Sequence, residues 1–411
     1  MFRPTKETAP AVSFVFLINM NEPTSHYSAC SYCGDAPINH NLHYVESLAS
    51  SAFEFYAAFV SKITPAFLKR FAELIPIGLF KTLVFLRLAK FSSDIEKSAS
   101  FRSRVIWEEA QRRGIDMQQI IFRNRPLDWY RASLPSKTIY FESLPIRLTD
   151  FSKDWDNKII LKRELSKHNI PVPKYVGLSF PSFNNHERVF DNLTMPVIIK
   201  PKLGSRGRHT ITNISNLEQF KNAIAISNQI SAHLVVEEHL EGSICRATVV
   251  DGVLAGFYQG IPPFIVGDGQ KTIRELIEEK NLNRPNRIGL INISIELQDH
   301  IARFGFEIDD ILPNNFLLKL SHRQGRLFGG VTKEMIDELH PSFVPIIQKA
   351  AIVTGLQIAG FDCIIPDPTK DALSQRWGII ECNTLPFIDL HYYALEGKPR
   401  NIASMVWDLW K

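Results

Sequence analysis

Cysteine is scarce: five residues in 411, at Cys30, Cys33, Cys245, Cys363 and Cys382. An odd, sparse count builds no disulfide framework and suits a reducing compartment. Long apolar runs are missing too. The patch Val12 to Ile18 is too short to span a bilayer and no small-residue cleavage site follows it, so it reads as a buried strand and secretion is not expected. Neither sign of charge dominates, since 47 Lys and Arg against 43 Asp and Glu leave +4. That balance suits an enzyme handling small anions and is far too weak to argue for nucleic acid. There are no internal repeats and no low-complexity tracts, which excludes solenoids and disordered arrays. What is present is length and a 45% hydrophobic content, enough for two or three domains with cores of their own. A cytoplasmic localisation follows as the expectation.

Residues 50–91 are rich in Phe, Ala and Leu, and Pro65 and Pro76 divide them into pieces too short to cross a membrane. Lys69, Arg70, Lys81, Arg87 and Lys90 interrupt the run at helical spacing. The favoured reading is helices packed on a core or partner; weak attachment to a membrane surface is the alternative. A helix over RSRVIWEEAQRRGI and strands near Gln119–Phe122 and Thr138–Phe141 outline a small α/β unit. The polar stretch 147–157 reads as a connector. Helices and strands then alternate to the end: a helix to about His168, a strand at 195–201, a helix at 216–227 and a strand at 234–239. The expected fold class is α+β. Three domains are expected: 1–50 with a Cys/His cluster, 51–150 helical and small α/β, and 151–411 catalytic, with a lid subdomain at about 190–243.

Two short patterns could do chemistry. Lys200 ends an apolar strand and Gly204, Ser205, Arg206, Gly207 and Arg208 follow. Glycines let backbone N–H groups approach phosphate oxygens, and the lysine adds a point charge. Basic Gly-rich turns are common, so alone this is weak. Glu381 and Asn383 share one face of the strand WGIIECN, with Cys382 turned away. A carboxylate beside an amide carbonyl is a hard-oxygen pair suited to Mg²⁺, and Asp362, ending another apolar run, could join it. Read separately, these groups could equally cap strand ends.

Five blocks in order resemble the ATP-grasp superfamily, in the branch of cyanophycin synthetase and the glutathione-synthesising fusion enzymes. They are N-K-x-x-L-K-x-x-L (157–165) with I-P-V-P, the Lys200 loop, V-E-E-H-L-E-G (236–242), V-G-D-G-Q-K-T-I-R-E-L-I-E-E-K-N (266–281), and the stretch from His340-Pro341 through AGFD and ECNTLP to residue 401. The resemblance covers about 158 to 408 and implies two α+β subdomains gripping ATP. It implies that Lys158 and Lys200 contact phosphates and that Gly204 to Arg208, with Ser205 and Gly207, closes over them. Glu237, Glu238 and Leu240 would belong to the adenine-reading hinge. Asp362, Glu381 and Asn383 would hold Mg²⁺ or Mn²⁺. Arg246 and Lys319 would stand near the transferred phosphate, and His391 at the substrate end.

Departures fall beside these positions. Ile244 replaces a glutamate that contacts ribose, Arg326-Leu327-Phe328-Gly329-Gly330 replaces a more polar acceptor motif, Phe387 replaces a glycine, and Asn157 replaces an aspartate. The implied activity is an ADP-forming carboxylate–amine ligase that makes an acyl phosphate and joins it to an amine, an amino acid or peptide being the expected substrate. With no Mur-ligase-like segment after Lys411, a single ligation is expected rather than polymerisation. An ATP-grasp kinase and a non-catalytic nucleotide binder are the alternatives. Relatives commonly form dimers or tetramers, so a homo-oligomer is compatible.

Cys30-Ser-Tyr-Cys33-Gly34, with His40 and His43 after it and His26 before, resembles a zinc knuckle. The ligand pairs lack the usual spacing between them, so ordinary buried cysteines are preferred to structural Zn²⁺ or a redox pair.

Overall fold

The computed structural model describes residues 30, 32–33, 38–49, 77–146, 154–179, 186–204, 207–321 and 324–411. The strand expected at Val12–Ile18, the stretch 51–76, residues 147–153, His26, Ser205 and Arg206 lie outside them. Among the described residues no helix is long and apolar enough to cross a membrane.

The N-terminal unit is an antiparallel meander of β1 (Ala89–Ser92), β2 (Asp116–Phe122), β3 (Arg125–Ser133) and β4 (Thr138–Glu142), in that spatial order. The end of the apolar segment is thus a strand, where the sequence suggested helix to residue 91. The helix 77–85 stops because Arg87 turns left-handed (φ 58°). Its N–H bonds the Val84 carbonyl and the Leu88 N–H reaches back to Leu83, a Schellman closure. Strand β3 has no clean alternation in sequence because it buries the neighbours Trp129 and Tyr130 on both faces, against Phe80 and Trp107 respectively. The helix Phe101–Arg112 begins at Ser100, which caps the Ser103 N–H. It shares a core with the C-terminal helix Ile402–Asp408, around Ile106, Trp107, Val406 and Trp407.

A second antiparallel sheet follows, from β5 (Tyr175–Ser179), β6 (Val197–Pro201), β7 (Ile211–Ile214) and β8 (His233–Glu238), ordered β5-β8-β6-β7. The helix Leu217–Asn228 covers it, packing Phe220, Ala223 and Ile224 on Val197, Ile199 and Leu234. The pairing of β5 with β8 brings residues 175–179 into this sheet.

The third sheet takes β9 (Ser243–Val250), β10 (Val253–Ile261), β13 (Val331–Glu334), β14 (Ile358–Ile365) and β15 (Gly378–Asn383). Its order is β13-β10-β9-β14-β15, all antiparallel. A ribbon of β11 (Phe264–Val266) and β12 (Leu317–Lys319) stands beside it, next to the helix Ile273–Leu282, started by a capping box between Thr272 and Glu275. One face of the large sheet packs Cys245, Ala247, Phe257, Phe361, Cys363 and Cys382 on the helices Lys158–Lys167 and Phe343–Thr354. The other face carries the polar residues.

Candidate active site

Side chains directly opposite each other on neighbouring strands share a face. The register pairs Glu334 with Tyr258, Tyr258 with Arg246, Arg246 with Asp362, and Asp362 with Glu381. Five strands therefore contribute one residue each to a single polar row. Within it Arg246 clasps Asp362 through two bonds, Nε to Oδ1 and Nη2 to Oδ2, both 2.6 Å. Burial opposes the charge on Arg246, yet the Asp362 carboxylate wins and holds its pKa above the ordinary value. Burial also pushes the Tyr258 phenol up. Asn383 donates its amide nitrogen to Asp362 Oδ2 at 3.3 Å.

A second constellation joins the row to the four-stranded sheet. Asn157 caps the helix Lys158–Lys167 by accepting the Ile159 and Ile160 N–H groups. One turn of that helix then aims Lys158 and Lys162 at the same interior, since residues four apart share a face. Lys158 Nζ meets Glu381 Oε1 at 2.9 Å and donates to the Gly204 carbonyl at 3.0 Å. Lys162 Nζ lies 2.8 Å from Glu237 Oε1 and bonds the Ile380 carbonyl at 2.7 Å. Lys200, from β6, reaches the same Glu237 oxygen at 3.0 Å. All three lysines and Glu237 are buried.

Three ammonium groups thus face two carboxylates, an excess of one positive charge out of water. The electrostatics follow. Burial would raise the Glu381 pKa, but Lys158 and then Lys200 pull it down to about 2. Burial likewise opposes ionisation of Glu237, and Lys162 and Lys200 lower its pKa nonetheless. Lys162 is driven down to about 8 by burial, with Glu237 resisting. A buried cation in excess suits a polyanion.

The structure brings Lys158, Lys200, Glu237, Arg246, Asp362, Glu381 and Asn383 together. Gly204 and Gly207 frame the loop after β6 with left-handed backbones (φ 128° and 64°) and open space where a Cβ would stand. Glu238 points elsewhere: Arg376 Nε holds its Oε1 at 3.0 Å and the Lys174 N–H its Oε2 at 3.1 Å. Leu240 is buried beyond the strand. The N–H groups of Glu238 and His239 are tied to the Lys174 and Pro196 carbonyls. Lys319 stands exposed on β12, paired with Phe264 rather than with the row. Lys162, quoted in the 157–165 motif, was given no role in the sequence, although its spacing of four from Lys158 was the available signal.

At the far end of the sheet His391 is fully buried. Its Nδ1 meets Glu334 Oε2 at 2.5 Å and its Nε2 meets Thr248 Oγ1 at 2.8 Å. Gly256 admits the ring, since a Cβ there would lie 2.5 Å from Nδ1. Two of the divergent positions, Arg326 and Phe387, gather nearby. Arg326 Nη2 binds buried Asp389 Oδ2 at 2.5 Å and its guanidinium lies 5.7 Å from the Phe101 ring. Arg102 sits 4.9 Å from the Phe387 ring and bonds the Leu385 carbonyl. Ile244 donates its N–H to Gln324 at 2.7 Å. Arg326 and Phe387 thus both meet the first two residues of the helix Phe101–Arg112.

A small antiparallel sheet and a larger one, joined by lysines from both sides, constitute the ATP-grasp fold. In sequence the chain is similar to cyanophycin synthetases and to bifunctional glutathione biosynthesis proteins. It is 32% identical over 258 residues to the cyanophycin synthetase of Synechocystis sp., a match covering 60% of this chain and 29% of that protein. It is 26% identical over 263 residues to the bifunctional glutathione biosynthesis protein of Clostridium perfringens, covering 62% of this chain and 34% of that one. Among solved structures, a bifunctional glutathione synthetase from Pasteurella multocida superposes with a TM-score of 0.51 at 22% identity, over 75% of this chain and 43% of the other. The matches to these two curated relatives span about a third of their length. No family model matches the chain.

Proposed function

We propose that the chain is an ADP-forming carboxylate–amine ligase acting on an amino acid or peptide. The observation that carries it is the buried excess of positive charge where the small sheet meets the large one. Phosphoryl transfer needs positioned cations around a group whose negative charge is spread over several oxygens. In this reading Lys158 and Lys200 hold the β- and γ-phosphates of ATP, and the loop from Gly204 to Arg208 covers them. With the Glu238 and His239 N–H groups already engaged, the Leu240 N–H is the hinge donor for adenine. Lys162 keeps Glu237 ionised and so fixes Lys200.

The acidic groups fit magnesium. Asn383 spends its nitrogen on Asp362 and keeps its Oδ1 for a cation, and Lys158 takes one oxygen of Glu381 and leaves the other. Both are hard oxygen ligands, with Asp362 beside them. Bound there, magnesium would neutralise charge on the phosphoryl group. Arg246, clamped by Asp362, lends positive potential from within the row. Lys319 enters through the resemblance alone.

The domain assignment follows the same reading. Residues 151–411 form the catalytic unit, and its lid, about 190–243, extends to Tyr175–Ser179 through strand pairing. The acceptor is chosen where Phe101 and Arg102 meet Phe387 and Arg326. The test is a screen of amino acids and short peptides for ADP release, with inorganic phosphate measured alongside. Equal amounts of ADP and phosphate are expected with the right pair. A phosphorylated product without free phosphate would make the chain a kinase instead, and ATP binding without turnover on any substrate would leave a nucleotide binder.

A further inference from the structure

The cysteine–histidine cluster is completed by a residue 169 positions away. Cys30, Cys33, His40 and His209 each offer one ligand atom, and all four atoms lie within 4.8 Å of one another. Cys33 Sγ is 3.2 Å from His40 Nε2 and 3.5 Å from His209 Nε2, and Cys30 Sγ is 3.6 Å from His209 Nε2. Zinc bonds of about 2.3 Å to sulfur and 2.0–2.1 Å to nitrogen set tetrahedral edges of about 3.3–3.8 Å between ligand atoms. These three separations fall at or just below that range, and the remaining pairs lie within 4.8 Å.

We infer that these four side chains form a structural zinc site of the Cys₂His₂ type. His209 supplies the independent support. Its Nδ1 lies 2.7 Å from the Ile226 carbonyl, an acceptor, so the ring proton sits there. The Nε2 lone pair is then directed at both sulfurs, the tautomer a metal ligand needs and the outer-shell bond that commonly fixes it. The ring is fully buried and adopts a left-handed backbone (φ 48°), held by its N–H on the Tyr32 carbonyl and by Ser227 Oγ on its own carbonyl. On the other side Cys33 turns back on Cys30 through a 3.1 Å backbone bond. Asn39 caps the helix that begins at His40 by accepting the Leu42 N–H. His43, the other histidine that follows the Cys30–Cys33 pair, faces Glu46 at 3.4 Å instead.

Among the described residues, the apolar contact of segment 30–49 is a small patch of Cys33, Ile38 and Ile230 with Cys30, and Ser47 Oγ accepts the Ala232 N–H. So small a core ordinarily needs a metal or a cross-link. A soft S₂N₂ tetrahedron selects zinc over the hard cations of the nucleotide end. The site would brace the residue that directly follows the loop ending at Arg208, tying residues 30–49 to the small sheet. It stands whether or not the chain is a ligase.

The full chain purified without chelator should contain about one zinc per chain. Cobalt exchanged into it should give the visible and thiolate-to-metal bands of a tetrahedral site. His209→Asn and Cys33→Ser should each lower the zinc content at least about tenfold, whereas His43→Asn should leave it unchanged. If a variant fails to fold, the metal content and cobalt spectrum of the wild-type chain decide alone. Wild-type protein free of zinc, a Cys30–Cys33 disulfide in its place, or undiminished zinc in folded His209→Asn would each overturn the assignment.

Discussion

The two ends of the large sheet are built differently. At the end proposed to hold the nucleotide, charges come from adjacent strands in register and from one helix turn: Arg246, Asp362 and Glu381 in a row, Lys158 and Lys162 four apart. At the end proposed for the acceptor they come from helices and connections outside the strand ladder. Arg102 meets Leu385 and Phe387, Arg326 meets Asp389, and Tyr393 donates to Glu108 at 3.2 Å. Trp407 donates to the Ile106 carbonyl at 2.9 Å and Arg113 pairs with Asp408 at 2.8 Å. The first construction holds a fixed chemistry in place. The second ties the helix Phe101–Arg112 to the segment 385–408.

If that division holds, Lys200→Ala and Glu381→Ala should cut substrate-dependent ADP release about 10²–10³-fold, the loss typical of removing one positioned transition-state contact. Full activity in either folded variant would break it. Glu237→Gln leaves Lys162 and Lys200 buried without their shared anion. It should cost about 3 kcal/mol of stability, read by denaturant or thermal unfolding. Acidification sharpens the contrast. Glu381 has its pKa lowered from 4.5 to about 2 in the folded chain, so it binds fewer protons folded than unfolded. Its contribution is present above pH 4.5 and lost as pH falls towards 2. Glu381→Gln should therefore flatten the acid limb of the stability profile by roughly 1–2 kcal/mol, and an unchanged limb would show that Lys158 does not stabilise the anion. At the acceptor end Arg102→Ala and Arg326→Ala should raise KM for the carboxylate or amine about tenfold while the KM for ATP moves less than about twofold. Parallel shifts in both would show that the two ends are not separable.

The same contrast explains what could be read in advance. Strand periodicity alone puts Glu381 and Asn383 on one face and Cys382 in the core, where the thiol lies buried among Phe361 and Ile379. The alternation of helices and strands from Lys158 onward was likewise visible. The Arg246–Asp362 clasp was not, because register between strands over 100 residues apart leaves no local trace. His209 was missed for the same reason: nothing near it in sequence resembles a ligand set. Strand β3 escaped because Trp129 and Tyr130 bury both faces. The pairing of the Glu238 side chain with Arg376 is likewise long-range and leaves no local signal.

The polar row also sets how this chain can vary over time. Its members belong to five strands, and a side chain alternates faces at every step. Losing a single codon within β14 ahead of Asp362 would turn that carboxylate into the apolar core and present Cys363 in its place. Insertions of any length between strands leave the alignment untouched. Length variation among descendants of this sequence should accordingly concentrate in connections such as 262–330, while the residue count inside β9, β10, β14 and β15 stays constant.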